Sequence, residues 1–228
     1  MTGLIAALDT VDPQQALGWA RAVAPSCGML KLGLEFFLAN GAAGVGLIDH
    51  RPIFLDLKLH DIPNTVAGGV RAILPLRPAF LTIHAGGGRT MIAAARAAAD
   101  AAGAGRPKLL AVTVLTSLDA EALHETGVAG GPRQQVLRLG RLALAAGADG
   151  LVCSAHEIST LRAALGPDAL LVVPGIRPAG ADVGDQARTM TPREAAAAGA
   201  DWLVVGRPIT AAPDAAAAAA AIAAELVA

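Results

Sequence analysis

Short apolar runs recur along the chain at residues 4–9, 28–33, 53–58, 79–84, 108–115, 151–153, 169–174 and 202–205, separated by stretches that carry helix signals. The first such stretch opens Asp12-Pro13-Gln14-Gln15. It offers a capping carboxylate, a proline at the first helical position and a glutamine at the third, and so predicts a helix to about residue 23. Further helices are predicted over 34–40, 63–72, 90–102, 132–146, 156–165 and the Ala-rich 214–228, with a small extra one over 119–124. Strands that alternate with helices imply parallel βαβ units joined by right-handed crossovers. Eight of them predict an α/β fold of the closed (β/α)8 type. An open doubly wound sheet is the alternative. No linker or shift in composition interrupts the pattern, so residues 1–228 are expected to form a single barrel domain. One internal echo stands out: AAGADGLV at 145–152 and AAGADWLV at 197–204. In each, a helix stops at a glycine able to take the left-handed conformation, and an aspartate turn delivers the next strand. The echo is short enough to be chance, yet it fits repeated helix-to-strand units.

Composition narrows the class. The chain of 228 residues is 54% hydrophobic, with a mean hydropathy of +0.52. Much of that is Ala and Gly, and no stretch reaches the roughly 20 strongly apolar residues of a membrane helix. The amino terminus lacks a basic segment followed by an apolar one, so no signal peptide is expected and the location should be cytoplasmic. Eighteen Lys and Arg balance 19 Asp and Glu, and aromatics are only 3%. Nucleic acid, which needs positive charge and stacking platforms, is therefore not an expected partner. Cys27 and Cys153 show no metal-ligand spacing and lie in or beside apolar strands, as reduced buried thiols do.

The chemistry concentrates in residues 53–66, IFLDLKLHDIPNTV. On a strand alternate side chains share a face. Phe54, Asp56 and Lys58 then point one way, and Ile53, Leu55 and Leu57 the other. An acid and a base project together from the end of a strand otherwise built for burial. Asp61 follows in the loop, and Pro63 suits the first turn of the next helix. Two readings stand: a structural ion pair on an edge strand, or a catalytic D-x-K-x-x-D array at the carboxyl end of a barrel strand. The ends of the other strands add Asp9, Lys31, His84, Thr116, Ser154, Pro174, Gly206 and Arg207. A barrel would bring these to one mouth. After the seventh and eighth strands come Gly175-Ile176-Arg177-Pro178 and Gly206-Arg207-Pro208-Ile209. Loops there, with a short helix N-terminus, commonly hold phosphate. Each arginine is either a bidentate anion ligand or an ordinary surface cation. Residues 178–191 have no apolar periodicity and read as a lid, with Gln186 the best candidate for a directed contact.

LDLKLHDIPNTV resembles the signature of the orotidine 5′-phosphate decarboxylase family. Further matching blocks follow in family order: ALD at 7–9, KLGLEFF at 31–37, TIHAGGG at 82–88, VTVLTS at 112–117, VCSAHE at 152–157, PGIRPAG at 174–180 and VVGRPIT at 204–210. The resemblance implies a homodimeric (β/α)8 barrel that converts orotidine 5′-monophosphate to UMP without metal or organic cofactor. It implies Lys58 as proton donor within an array completed by Lys31, Asp56 and Asp61. Asp61 would reach into the partner's site, with Thr65 beside it. Asp9 and Lys31 would bind the ribose, Thr116 and Ser117 would lie at the pyrimidine, and Pro174 would join the substrate contacts. Arg177, Gln186, Gly206 and Arg207 would hold the phosphate. Loss of CO2 leaves a carbanion with no adjacent electron sink, so a fixed cation is the device the chemistry needs. The nearest rival is the magnesium-dependent sugar-phosphate decarboxylase and hexulose-phosphate synthase group. That group carries an acidic metal ligand where Lys31 stands here, and a cation is a poor neighbour for magnesium. A barrel that only binds nucleotides or a protein partner is a further alternative; intact Lys31, Asp56, Lys58 and Asp61 argue against it.

Overall fold

Local signals in the sequence are followed closely. The computed structural model describes residues 2–178 and 190–226. Eight strands run in order: β1 Gly3–Ala7, β2 Met29–Gly33, β3 Ile53–Leu59, β4 Phe80–His84, β5 Lys108–Val112, β6 Gly150–Val152, β7 Leu170–Val173 and β8 Trp202–Val205. Each pairs in parallel with its sequence neighbour, and β8 returns to pair with β1, closing the barrel. That last ladder rules out the open sheet. The helices are α1 Pro13–Val23, α2 Leu34–Val45, α3 Pro63–Ile73, α4 Gly88–Asp100, α5 Ala120–Glu125, α6 Pro132–Ala145, α7 Ile158–Leu165, α8 Pro192–Ala197, α9 Arg207–Thr210 and α10 Ala215–Glu225. The Asp12 carboxylate accepts the Gln14 N–H at 2.8 Å, capping α1 as its sequence predicts. Several elements differ from expectation; the fifth strand, for one, ends at Val112, short of residue 115. The second helix continues past residue 40, through a break at Gly41 with φ +58°, which a glycine tolerates. α8 stands where no helix is bounded from sequence, its first turn closed by Thr191 and Glu194, each bonding the other's backbone N–H. Residues 179–189, which hold Gln186 and most of the expected lid, lie outside the described residues.

Strand alternation sorts the core into two parts. Ile5, Ala7, Met29, Phe54, Phe80, Leu110, Val172 and Val204 fill the barrel interior. Their neighbours Leu4, Leu30, Ile53, Leu55 and Leu81 face the helices. Phe54 meets Phe80 edge to face at 5.8 Å, and Phe80 meets Trp202 at 5.9 Å. Trp202 plugs the lower end of the barrel. A Cβ on Gly28 would stand 2.9 Å from its ring, so that position has room only for glycine. The interior is a packed core whose upper end is left to polar groups.

The sequence echo has a structural counterpart. Gly147 and Gly199 both take positive φ, +104° and +102°. Asp149 accepts the Leu109 N–H at 2.8 Å and a two-pronged contact from Arg106. Asp201 accepts the Leu171 N–H at 2.7 Å and pairs with Arg162. Arg96 and Arg162 donate to the carbonyls of Gly147 and Gly199 respectively. Each copy therefore ties the foot of one strand to the foot of the next. Burial would raise the Asp149 carboxyl, but Arg106 and the Leu109 N–H outweigh it and hold it below the usual range. Cys27 and Cys153 are buried and unpaired with each other, as expected; burial pushes the Cys27 thiol up to about 12. Among the described residues, no helix is long and apolar enough to cross a membrane.

Candidate active site

β3 is the element that builds the site. Phe54 faces the interior, and Asp56 lies above it at the mouth. The strand does not continue as a regular ladder. Leu55 pairs with Leu81, but the next partner pair is Leu59 with Ile83, so four steps on β3 match two on β4. Within that bulge Lys58 has φ +49°, left-handed backbone that a lysine adopts at a cost of about 1–3 kcal/mol. Bulges of this kind re-aim a side chain beside a site. Lys58 still reaches the mouth, though through a bulge and not through the plain alternation the sequence predicts. β2 contributes Lys31, one inward step above Met29. Gly33 ends that strand. A Cβ there would stand 3.0 Å from both Asp9 Oδ1 and Lys31 Nζ, so its absence leaves room for their meeting.

Four charges then alternate across the mouth. Lys31 Nζ lies 3.0 Å from Asp9 Oδ1 and 3.5 Å from Asp56 Oδ2. Lys58 Nζ lies 2.8 Å from the same Asp56 oxygen. Asp56 Oδ1 accepts the Thr82 hydroxyl at 2.9 Å. Burial would push the Lys31 ammonium down, but Asp56 and then Asp9 outweigh it, and it is held above the ordinary lysine value. Burial would likewise raise the Asp56 carboxyl. Lys31 and Lys58, with hydrogen bonds from Lys58 and Thr82, hold it below the ordinary value. Lys31 and Asp56 thus favour each other's charged form.

The charges form one side of a cavity of about 280 Å³. Val112, Val114, Val152 and Cys153 give an apolar wall; Pro174, Gly175, Arg177, Gly206 and Arg207 give a wall suited to an anion. Thr116 lies between. Arg177 is buried and donates from Nη1 to the Ile176 carbonyl at 2.9 Å, while Arg207 opens α9. The cavity therefore gathers Asp9, Lys31, Asp56, Lys58, Thr116, Pro174, Arg177, Gly206 and Arg207 from the predicted set. It does not gather all of that set. Ser117 is exposed beyond it. Thr65 and Asp61 are exposed as well, and Asp61 lines a separate shallow hollow with His60, Pro63 and Gly87. Its carboxylate accepts the Ile62 N–H at 2.6 Å, and it forms no ion pair among the described residues. His84 and Ser154, strand-end residues expected at the mouth, are absent from the cavity wall. His84 turns aside and stacks on His60 at 5.3 Å. Sequence reasoning passed over Thr82 and Gly33. The available signal for Thr82 was one hydroxyl at an inward position of the apolar run AFLTIH.

A family model described as orotidine 5′-phosphate decarboxylase / HUMPS family matches residues 2–222. Curated relatives include the orotidine 5′-phosphate decarboxylase of Gluconobacter oxydans (strain 621H), 58% identical, with 99% of this chain and 97% of that protein covered. The protein of the same name from Anaeromyxobacter sp. (strain K) is also 58% identical, over 98% of this chain and 97% of its own length. Among solved structures, the orotidine 5′-phosphate decarboxylase of Lactobacillus acidophilus superposes with a TM-score of 0.88 at 40% identity, covering 100% of both chains. A match over nearly the whole barrel, with the charge array intact, leads to one conclusion: the chain belongs to the orotidine 5′-phosphate decarboxylase / HUMPS family.

Proposed function

We propose that this chain decarboxylates orotidine 5′-monophosphate to UMP in pyrimidine synthesis, with Lys58 as the proton donor. The observation that carries this reading is the Lys58 ammonium, held 2.8 Å from Asp56 at the cavity wall. Gly206, Arg207 and Arg177 anchor the phosphate. Asp9 and Lys31 take the ribose hydroxyls. The pyrimidine lies along the apolar wall, near Thr116, Ser117 and Pro174, with C6 toward Lys58. The bond from C6 to its carboxyl group breaks, CO2 departs, and the electron pair stays on C6. The fixed ammonium stabilises that developing charge and then delivers its proton to the carbon. Because the phosphate grip lies far from C6, its binding energy serves to position the ring against Lys58.

Asp61 completes the array from a second copy of the chain, and Thr65 accompanies it, so the working unit is a homodimer. Support comes from the exposure of both residues, outside their own chain's cavity. The magnesium-dependent reading is disfavoured because the Lys31 ammonium already sits between Asp9 and Asp56, where a divalent ion would need its ligands. The test is spectrophotometric. Orotidine 5′-monophosphate should lose absorbance on adding enzyme, with or without EDTA. Lys58→Ala should abolish turnover while UMP binding stays measurable. Wild-type turnover in that variant would end the assignment of Lys58, and loss of activity in EDTA would favour the metal-dependent rival.

A further inference from the structure

We infer that Thr82 is a positioning residue for decarboxylation, its single hydroxyl fixing both the backbone that aims Lys58 and the rotation of the Asp56 carboxylate. The inference rests on the reading above, in which Lys58 delivers the proton. Thr82 lies on β4 with no exposed surface. Its Oγ1 is 2.9 Å from the Lys58 backbone nitrogen and 2.9 Å from Asp56 Oδ1. A peptide N–H can only donate, so the hydroxyl accepts from Lys58. Its one proton is then committed to Asp56. Both contacts are determined by valence, and no other arrangement of the proton satisfies them.

Two consequences follow. The first concerns the bulge. Where β3 slips against β4, the Lys58 N–H has lost a regular ladder partner, and the Thr82 side chain supplies one. That bond holds Lys58 in its left-handed conformation; without it the backbone can relax toward extended geometry and carry Nζ with it. The second concerns Asp56. With Oδ1 taken by Thr82, Oδ2 is the oxygen presented to Lys58 at 2.8 Å and to Lys31 at 3.5 Å. One hydroxyl therefore sets the relative placement of Lys58, Asp56 and Lys31. A residue that merely filled the core would contact them only through its methyl group.

The test compares Thr82→Val, which keeps the volume and removes both bonds, with Thr82→Ser, which keeps the hydroxyl. Steady-state kcat and KM are measured with orotidine 5′-monophosphate. Thr82→Val should lose about 100-fold in kcat, the scale of a misplacement near 1 Å. KM should stay within about threefold, because phosphate and ribose are held elsewhere. Thr82→Ser should recover kcat to within about fivefold of wild type, since the hydroxyl is restored. If the valine variant does not fold, Thr82→Ala gives the same comparison. Wild-type kcat in Thr82→Val or Thr82→Ala would overturn the inference, as would a serine variant as impaired as valine. A wild-type enzyme that leaves the substrate unchanged would instead overturn the functional reading on which this one stands.

Discussion

Asp56 is the residue whose charge can be removed with least change of shape. Its Oδ2 faces Lys58 at 2.8 Å and Lys31 at 3.5 Å. With an effective dielectric of about 20, the gross attractions are about 6 and about 5 kcal/mol. Desolvation and the mutual repulsion of the two ammoniums consume much of that. Breaking a buried pair by neutralising one partner costs about 3–5 kcal/mol. The Lys58 side chain is 31% exposed, so solvent screens its share and the lower figure applies. Asp56→Asn, which keeps an acceptor for Thr82, is therefore expected to destabilise the fold by about 3 kcal/mol at pH 7. For a chain of this size the melting temperature should fall by about 6–12 °C. The sign with pH can be fixed. The folded Asp56 carboxyl titrates below its ordinary value of 3.8. Its stabilisation is thus complete above that value and is lost as pH falls through the lower, folded one. The gap between wild type and variant should be full at pH 7 and shrink below 3.8. Urea unfolding across that range reads it directly. A variant within about 0.5 kcal/mol of wild type at pH 7, the scatter of inert surface changes, would refute the reasoning. So would a gap unchanged in acid.

Two further outcomes test the proposed roles. Arg207→Ala should raise KM by about 10- to 100-fold, the equivalent of losing charge-assisted hydrogen bonds worth about 1.5–3 kcal/mol; an unaltered KM would remove Arg207 from the phosphate site. Lys58→Ala and Asp61→Ala should each be inactive alone, yet after mixing and reassociation they should regain about a quarter of wild-type activity, because half the dimers are hybrids with one complete site. No recovery under conditions where subunits exchange would place Asp61 outside the partner's site.

The fold was legible because its signals are local and repeated. Each strand is an apolar run short enough to be told from a helix, and Asp12, Asp119 and Asp214 each cap the start of one. The A-A-G-A-D echo shows why repetition helps. Asp149 and Asp201 perform the same task on different strands, accepting the N–H of the neighbour's second residue and pairing with an arginine from nearby. What escaped was context. Thr191 and Glu194 do form a capping box, but it follows a segment with no apolar period; the echo marked the glycine at which that helix stops, not where it starts. Gly41 interrupts a helix that the chain nevertheless resumes, and a break tolerated by packing has no signature in propensity.

The site divides along a different line. Asp9, Lys31 and Asp56 were readable because period-two alternation places each charge on an otherwise apolar inward face; Lys58 was read by the same rule but arrives through the bulge. Alternation says which face a residue is on; it does not say how far along the strand its neighbour's partner has slipped. The bulge at Lys58 is a relation between β3 and β4, separated by a helix, and no window of sequence contains both. Thr82 was invisible for the same reason: its meaning lies in a peptide N–H 24 residues away. His84 makes the converse point. It occupies the next inward position on β4 after Thr82, where alternation predicts a place at the mouth, yet it stacks on His60. His60 is the first residue past the end of β3, so its stacking on His84 is again a relation between β3 and β4 that neither run states alone. Where charge sits in a barrel is thus written along each strand, and where it points is written between strands.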